Sequence, residues 1–220
     1  MGIRSEVTIR KACLEDSRIL RDIAVDTAYF GSSSDMFFSD REFLADLLME
    51  YYPLYEPEHT FVAVYKGEVI GYLASTYDYN KYRRIFKSRI LPKALFKMIL
   101  RFKMFSFKTL RMIYFNVTAA ITKQTKLNSL SIKDYPVYIH QNMKDGYRGI
   151  GIGADLVEAF LKDAKASGVK GIRFRSLRSV DNFKFFTRYG FVLSDCRRVP
   201  AWEKWYKKEP LYLMEYGRKL

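Results

Sequence analysis

The sequence predicts a single α/β (α+β) domain spanning residues 1–220, on three observations. Segments of alternating polarity and segments of helical spacing succeed one another along the whole chain. A tight hairpin makes two of those strands antiparallel neighbours, and a glycine-rich turn joins another strand to a long helix. Alternation with period two marks a half-buried strand, and apolar spacing of three and four marks a helix with one buried face. With 220 residues, 49% of them hydrophobic and 16% aromatic, the chain carries enough apolar material to close a core, which argues against intrinsic disorder.

Residues 7–10 alternate as a short strand. Glu15 and Asp16 then lead into an amphipathic helix with Ile19, Leu20, Ile23 and Ala24 on one face. Residues 31–35 form a Gly/Ser loop, and Asp40 is placed to cap a second helix running to Met49. Pro53 and Pro57 punctuate a connection. Residues 60–65 alternate, Lys66-Gly67 turns, and residues 68–75 return as the partner strand. Pro92 breaks the following segment, in which Lys93, Lys97 and Arg101 recur at i, i+4 and i+8 as a basic helical stripe; a further helix runs over about 108–121. Residues 136–143 form the strand before the glycine turn, and Ile152–Ala166 is a helix with Leu156, Val157, Phe160 and Leu161 facing the core. Residues 171–176 are a strand, 181–189 a short helix stopped by Gly190, and 191–193 and 211–216 the last strands.

The net charge of +14 is unevenly placed. Of 38 basic residues, 14 lie between Asn80 and Lys133, where there is no Asp or Glu; the remaining 24 are balanced by 24 acidic ones. A neutral domain with a basic helical insertion over 79–133 describes the chain better than a basic protein. Two distant cysteines, Cys13 and Cys196, give neither a disulfide framework nor zinc-site spacing, which points to a reducing cytoplasm. The first residues hold no apolar core of signal-peptide length, and no apolar run approaches a membrane span.

The chemistry is carried by Tyr147-Arg148-Gly149-Ile150-Gly151-Ile152-Gly153-Ala154. Three glycines in five residues let a ligand approach the backbone, and the free amides of a first helical turn, with the helix dipole, suit a pyrophosphate. A turn built only for packing is the competing explanation. A P-loop would need Lys and Ser/Thr after the last glycine, where Ala154-Asp155 stand. A dinucleotide fingerprint would need its third glycine at 154 or 156, occupied by Ala154 and Leu156.

Arg148-Gly149-Ile150-Gly151-Ile152-Gly153 resembles the Q/R-x-x-G-x-G/A motif of the GNAT acetyltransferase superfamily, and the helix, strand and Phe185–Phe191 ending that follow fall in that family's order. The likeness covers the chain outside roughly residues 79–133. It implies the GNAT fold, a central mixed and mostly antiparallel sheet flanked by helices, with the basic helical insertion between the third and fourth strands. It also implies an N-acetyltransferase that moves an acetyl group from acetyl-CoA through a tetrahedral intermediate to a primary amine of a small molecule, an amino sugar or a peptide. Tyr138-Ile139-His140-Gln141-Asn142 is similar to the histidine-bearing strand of a subgroup that includes the acetyltransferase-like domain of protein O-GlcNAcases.

By that resemblance, main chain at Met143 and Lys144 holds the pantetheine arm and an oxyanion. Arg148, Gly149, Gly151 and Gly153 cradle the pyrophosphate, with main-chain donors at Ile150 and Ile152. The family often has Asn where Ser179 stands, and Asn182, one helical turn later, is a substitute contact. It has a tyrosine general acid where Phe186 stands, so the thiolate leaves unassisted or with help from Tyr189 or a water. His140 is the candidate general base, since imidazole titrates near neutrality; a hydrogen-bonded core histidine is the alternative. His59 reads as a surface or packing residue, and Glu56, Glu58 and Asp134 are further candidates without a motif.

The competing functional class is a CoA-binding or interaction module with weak or lost catalysis, whose basic insertion binds an anionic ligand or a membrane surface. The insertion's aromatics would pack on the sheet if its lysines merely face water; electrostatic capture is the functional alternative. No nucleic-acid-binding motif is present. Monomer and homodimer are both compatible with the sequence.

Overall fold

The computed structural model describes residues 2–178 and 184–220. Among them the strands form one seven-stranded sheet. These are β1 (Thr8–Lys11), β2 (Phe61–Tyr65), β3 (Glu68–Thr76), β4 (Val137–Met143), β5 (Gly171–Arg178), β6 (Val192–Arg198) and β7 (Tyr212–Lys219), in the spatial order β1-β2-β3-β4-β5-β7-β6. Every neighbouring pair is antiparallel except β4 and β5. The expected hairpin is present, with Lys66 and Gly67 both at positive φ in the turn.

Helices cover both faces. On one, α7 (Ile152–Ala166) buries Ile152, Leu156, Val157, Phe160, Leu161 and Ala164 against Phe61, Leu73, Val137, Ile139, Ile172 and Met214. Each large side chain among them contributes about 1.5–3 kcal/mol relative to exposure. On the other face, α1 (Ser17–Asp26) sets Leu20, Ile23 and Ala24 against Val62, Val69, Tyr72 and Ala74. The next helix, α2 (Arg41–Met49), starts at Asp40, whose carboxylate accepts the Phe43 N–H at 3.0 Å as the sequence predicts. Pro53 falls inside a short helix, α3 (Tyr51–Tyr55), instead of a plain connection.

The 79–133 segment holds three helices: α4 (Tyr79–Ile85), α5 (Leu91–Leu100) and α6 (Phe107–Ile121). Pro92 does not break the path. It stands in the first turn of α5, where a missing N–H costs least, and Phe86–Ile90 between α4 and α5 is wound with i→i+5 bonds. The basic stripe also differs from expectation. Lys93, Lys97 and Arg101 pair with Glu50, Asp46 and Asp40 of the α2 region at 3.0, 3.3 and 2.7 Å, so the stripe clamps α5 to α2 while Lys93 remains exposed. The aromatics are divided likewise: Phe86 and Phe115 pack inward, whereas Phe96, Phe102, Phe105, Phe107 and Tyr114 are exposed. Among the described residues two further short helices follow, α8 (Lys184–Arg188) and α9 (Pro200–Tyr206). The latter, absent from the sequence-based reading, buries Ala201, Glu203 and Trp205.

Candidate active site

A cleft opens where β4 and β5 part. Their parallel pairing ends with Val137 to Ile172 and Tyr138 to Arg173, while β4 stays bonded to β3 as far as Met143 and β5 to β7 as far as Arg178. Lys144 N–H donates to the Ile70 carbonyl at 2.8 Å, so the even-numbered residues of β4 are the ones bonded to β3. The main-chain groups of Ile139, Gln141 and Met143 therefore face the gap. The cleft has a volume of about 1040 Å³ and runs from the glycine turn to the side of the sheet covered by α1, α2 and α6.

At one end the turn has the geometry its glycines allow. Gly149 (φ 79°) and Gly151 (φ 97°) are left-handed, and Gly151 caps the fifteen-residue α7. Among the described residues, none of the amides from Arg148 to Gly153 donates to a protein acceptor; the first bonds of the helix start from Ala154 and Asp155. Six consecutive unfilled donors, two glycines at positive φ and the positive end of α7 form an anion nest. Ile150 and Ile152 offer only main chain to it: the Ile150 side chain is exposed and that of Ile152 is buried beneath the turn. A side chain at Gly153 would press on the Gln141 amide, 3.2 Å from its Cβ, which already donates to the Gly153 carbonyl at 2.9 Å.

Arg148 lines the cleft but spends two nitrogens on the protein. Nε donates to Met143 O at 3.0 Å and Nη2 to Gly31 O at 2.8 Å, tying the turn to the end of β4 and to the loop after α1. A second guanidinium, which the sequence-based reading missed, lies beside it. Arg4 pairs with Asp155 at 2.7 Å, and its head is 2.8 Å from the place a Gly151 Cβ would occupy. Nothing in the spacing of the sequence ties Arg4 to that turn.

Lys144 does not line the cleft; its amide is taken by Ile70 and its ammonium lies 3.9 Å from Glu68. The Met143 amide faces the gap in its place. The Met143 side chain is seated over Gly71, where an added Cβ would come within 2.3 Å of its sulfur.

His140 lines the cleft from β4, half-buried, with Nδ1 3.0 Å from the hydroxyl of the fully buried Tyr72. The Asn142 amide donates to the same hydroxyl at 3.1 Å. Among the described residues, His140 Nδ1 is the acceptor available to the Tyr72 O–H. The satisfied arrangement thus has Tyr72 donating to Nδ1 and the imidazole proton on Nε2. Burial with no nearby carboxylate lowers the His140 pKa to about 4, so it stays neutral across the physiological range. Tyr189 also lines the cleft. Burial and the charge of Glu158 raise its phenol pKa, which keeps a transferable proton on it at neutral pH. Phe186 lies in a ring cluster, 4.3 Å from Phe174 between centroids and 5.7 Å from Phe191. Ser179 and Asn182 lie outside the described residues.

The remaining candidates are elsewhere. His59 stacks on Tyr77 at 3.6 Å, with Nδ1 3.3 Å from Asp163, and is a packing residue. Glu56 is buried and accepts from the Tyr51 hydroxyl and the Tyr77 amide, each at 2.8 Å. Neither these nor Glu58 and Asp134 line the cleft.

Beyond His140 the wall is apolar: Phe37, Phe38, Phe43, Leu44 and Leu47 from the α1–α2 region, Met112 from α6, and Trp205 and Tyr206 from α9. Arg148, Arg175, Arg178, Arg188 and Lys208 line the cleft, and among the described residues no Asp or Glu does. The described lining is thus cationic, although Arg175 is paired with the buried Glu215 at 3.0 Å, with one nest of amides and one greasy wall.

No family model matches the chain, and no curated protein does. Solved structures do. SsHAT is 21% identical, with 97% of this chain and 98% of that one covered at a TM-score of 0.71. The polyamine N-acetyltransferase of Drosophila melanogaster, described as forming N-acetylagmatine, is 14% identical over 97% and 100% of the two chains, at 0.57. Ard1 from Thermoplasma volcanium is 15% identical over 98% of each, at 0.55. The likeness establishes the fold: the sheet and its flanking helices are those of the GNAT acetyltransferases.

Proposed function

We propose that this chain is an acetyl-CoA-dependent N-acetyltransferase. The observation that carries the proposal is the row of six unfilled amides from Arg148 to Gly153 at the mouth of the β4–β5 gap. That nest suits two linked phosphates, and the cationic lining suits a polyanionic cosubstrate. Gly149, Ile150, Gly151, Ile152 and Gly153 would hold the pyrophosphate through main chain, with Arg4 and Arg148 framing it. The Gln141 and Met143 amides, facing the gap, are donors for the pantetheine arm and for the oxyanion that forms when an amine attacks the thioester carbonyl. The new C–N bond forms, the C–S bond breaks, the thiolate takes a proton from Tyr189 or water, and the excess amine proton leaves to solvent. A neutral His140 with its proton on Nε2 is better placed to donate a hydrogen bond to substrate than to accept the amine proton. The histidine on β4 supports kinship with the acetyltransferase-like domains of O-GlcNAcases.

The acceptor is read from the opposite wall. A surface that is aromatic and aliphatic, with no carboxylate among its described residues, favours a primary monoamine with an apolar body and disfavours a polycation, whose second charge would be desolvated beside arginines. The acceptors named for the agmatine and polyamine enzymes are therefore expected to be poor here. The test is thiol release from acetyl-CoA across a panel of amines. Turnover with arylalkyl monoamines exceeding that with agmatine or spermidine supports both parts of the proposal; turnover with polyamines alone overturns the acceptor class. Tight CoA binding without turnover on any amine would favour the binding-module alternative.

A further inference from the structure

We infer that α5, α6 and the corner between them form a docking surface for an anionic lipid bilayer, on which the protein lies peripherally. The first ground is an apolar face that nothing among the described residues covers. Along α6, Phe107, Leu110, Tyr114, Val117 and Ile121 are all exposed and follow one another at i, i+3, i+7, i+10 and i+14, a continuous stripe on the outer side of the helix. The inner side is buried or half-buried through Thr109, Met112, Phe115 and Ala119. At the corner, Phe102, Phe105 and Phe107 are 81%, 72% and 78% exposed, far beyond what packing against this chain explains. Phe96, Ile99 and Leu100 are likewise exposed on the outer side of α5. An uncovered apolar stripe on a helix of this length marks an interaction site.

The second ground is charge. Four of the 14 basic residues between Asn80 and Lys133 are neutralised internally, Lys81 by Glu56 and Lys93, Lys97 and Arg101 by the α2 carboxylates. Among the described residues the other ten make no ion pair, and no acid interrupts them in sequence. Lys103 and Lys108 flank one end of the α6 stripe, and Lys123 and Lys126 follow the other. Aromatic and aliphatic residues bracketed by lysines are the composition of a helix lying in a headgroup layer, where apolar burial and attraction to anionic lipid add. Among the described residues no helix is long and apolar enough to cross a membrane, so the contact is with one leaflet.

The charge also separates this occupant from two others. A second copy meeting the stripe would bring Lys103, Lys108, Lys123 and Lys126, which make no ion pair among the described residues, against their own counterparts. A nucleic acid would answer the cations but gain little from Ile99, Leu110, Val117 or Ile121.

The experiment is flotation of the full chain with vesicles of phosphatidylcholine alone and with about a third phosphatidylglycerol. Expected is recovery with the anionic vesicles, falling roughly tenfold on neutral vesicles or in high salt, and roughly tenfold in a Phe107→Ser, Val117→Ser double variant. These residues are exposed, so an unchanged thermal melt verifies that the variant is folded. Failure to float with anionic vesicles overturns the inference. So does a dimer in light scattering that the double variant dissociates, or tighter binding to a single-stranded oligonucleotide than to vesicles. None of these readouts depends on acetyl transfer.

Discussion

His140 is where sequence and surroundings disagree most usefully. Its residue type suggests a base titrating near neutrality, but burial beside Tyr72 lowers its pKa to about 4. The folded chain then holds His140 neutral while the unfolded chain binds a proton between about pH 4 and 6.5. Its contribution to stability is complete above pH 6.5 and lost as pH falls toward 4, amounting to at most about 3 kcal/mol. Urea melts across that window should show a slope that His140→Gln removes. The rate profile should show no inflection near pH 6.5 attributable to His140; an inflection that disappears in His140→Gln would restore it as the base. Tyr72→Phe, which frees Nδ1, should shift the acidic limb of that profile.

The glycines act at the same scale. Gly151 sits at φ 97°, so Gly151→Ala carries a backbone cost of about 1 kcal/mol in stability. Gly151→Glu adds a carboxylate at the mouth of the nest and should weaken CoA binding at least about a hundredfold, roughly 3 kcal/mol.

At the scale of elements, the α2–α5 seam is the chief discovery of the structure over the sequence. Asp40 has two duties, capping α2 through the Phe43 amide and accepting two nitrogens of Arg101. Asp40→Ala removes both and leaves a half-buried guanidinium without its partner, for an expected loss of about 2–4 kcal/mol by denaturant melt. Asp40→Asn keeps the cap and should cost about half as much. If both variants melt with the wild type, the seam contributes nothing. The i, i+4, i+8 spacing of Lys93, Lys97 and Arg101 was plain in the sequence; its partners were not, because they lie on a helix some fifty residues earlier and meet α5 only through tertiary packing. The glycine turn, by contrast, was legible because its chemistry is local: positive φ and a helix start follow from residues 148–153 themselves. Lys144 shows the limit of local reading. Its position beside the motif suggested an available amide, yet strand register assigns that amide to Ile70 and leaves the neighbouring Met143 facing the gap.

On the scale of the whole molecule, the sheet acts as a divider. The α7 face carries the turn and its amides, the opposite face carries His140 and the apolar wall, and the parting of β4 from β5 connects them. The wall was illegible in the sequence because Phe37, Met112 and Trp205 come from three distant segments brought together by α1–α2, α6 and α9. The lack of carboxylates among its described residues sets the selectivity that the proposed function predicts. An arylalkyl monoamine should exceed agmatine in kcat/KM by at least about tenfold, or ~1.4 kcal/mol, and Met112→Glu, at a partly buried position of the wall, should reduce that ratio.

Calorimetric titration of the full chain with acetyl-CoA, beside Gly151→Glu shown folded by its melt, tests the anion nest most directly. Saturable one-site binding in the wild type, lost in the variant, is the result expected. No heat at millimolar acetyl-CoA, or equal affinity in the two proteins, would contradict it.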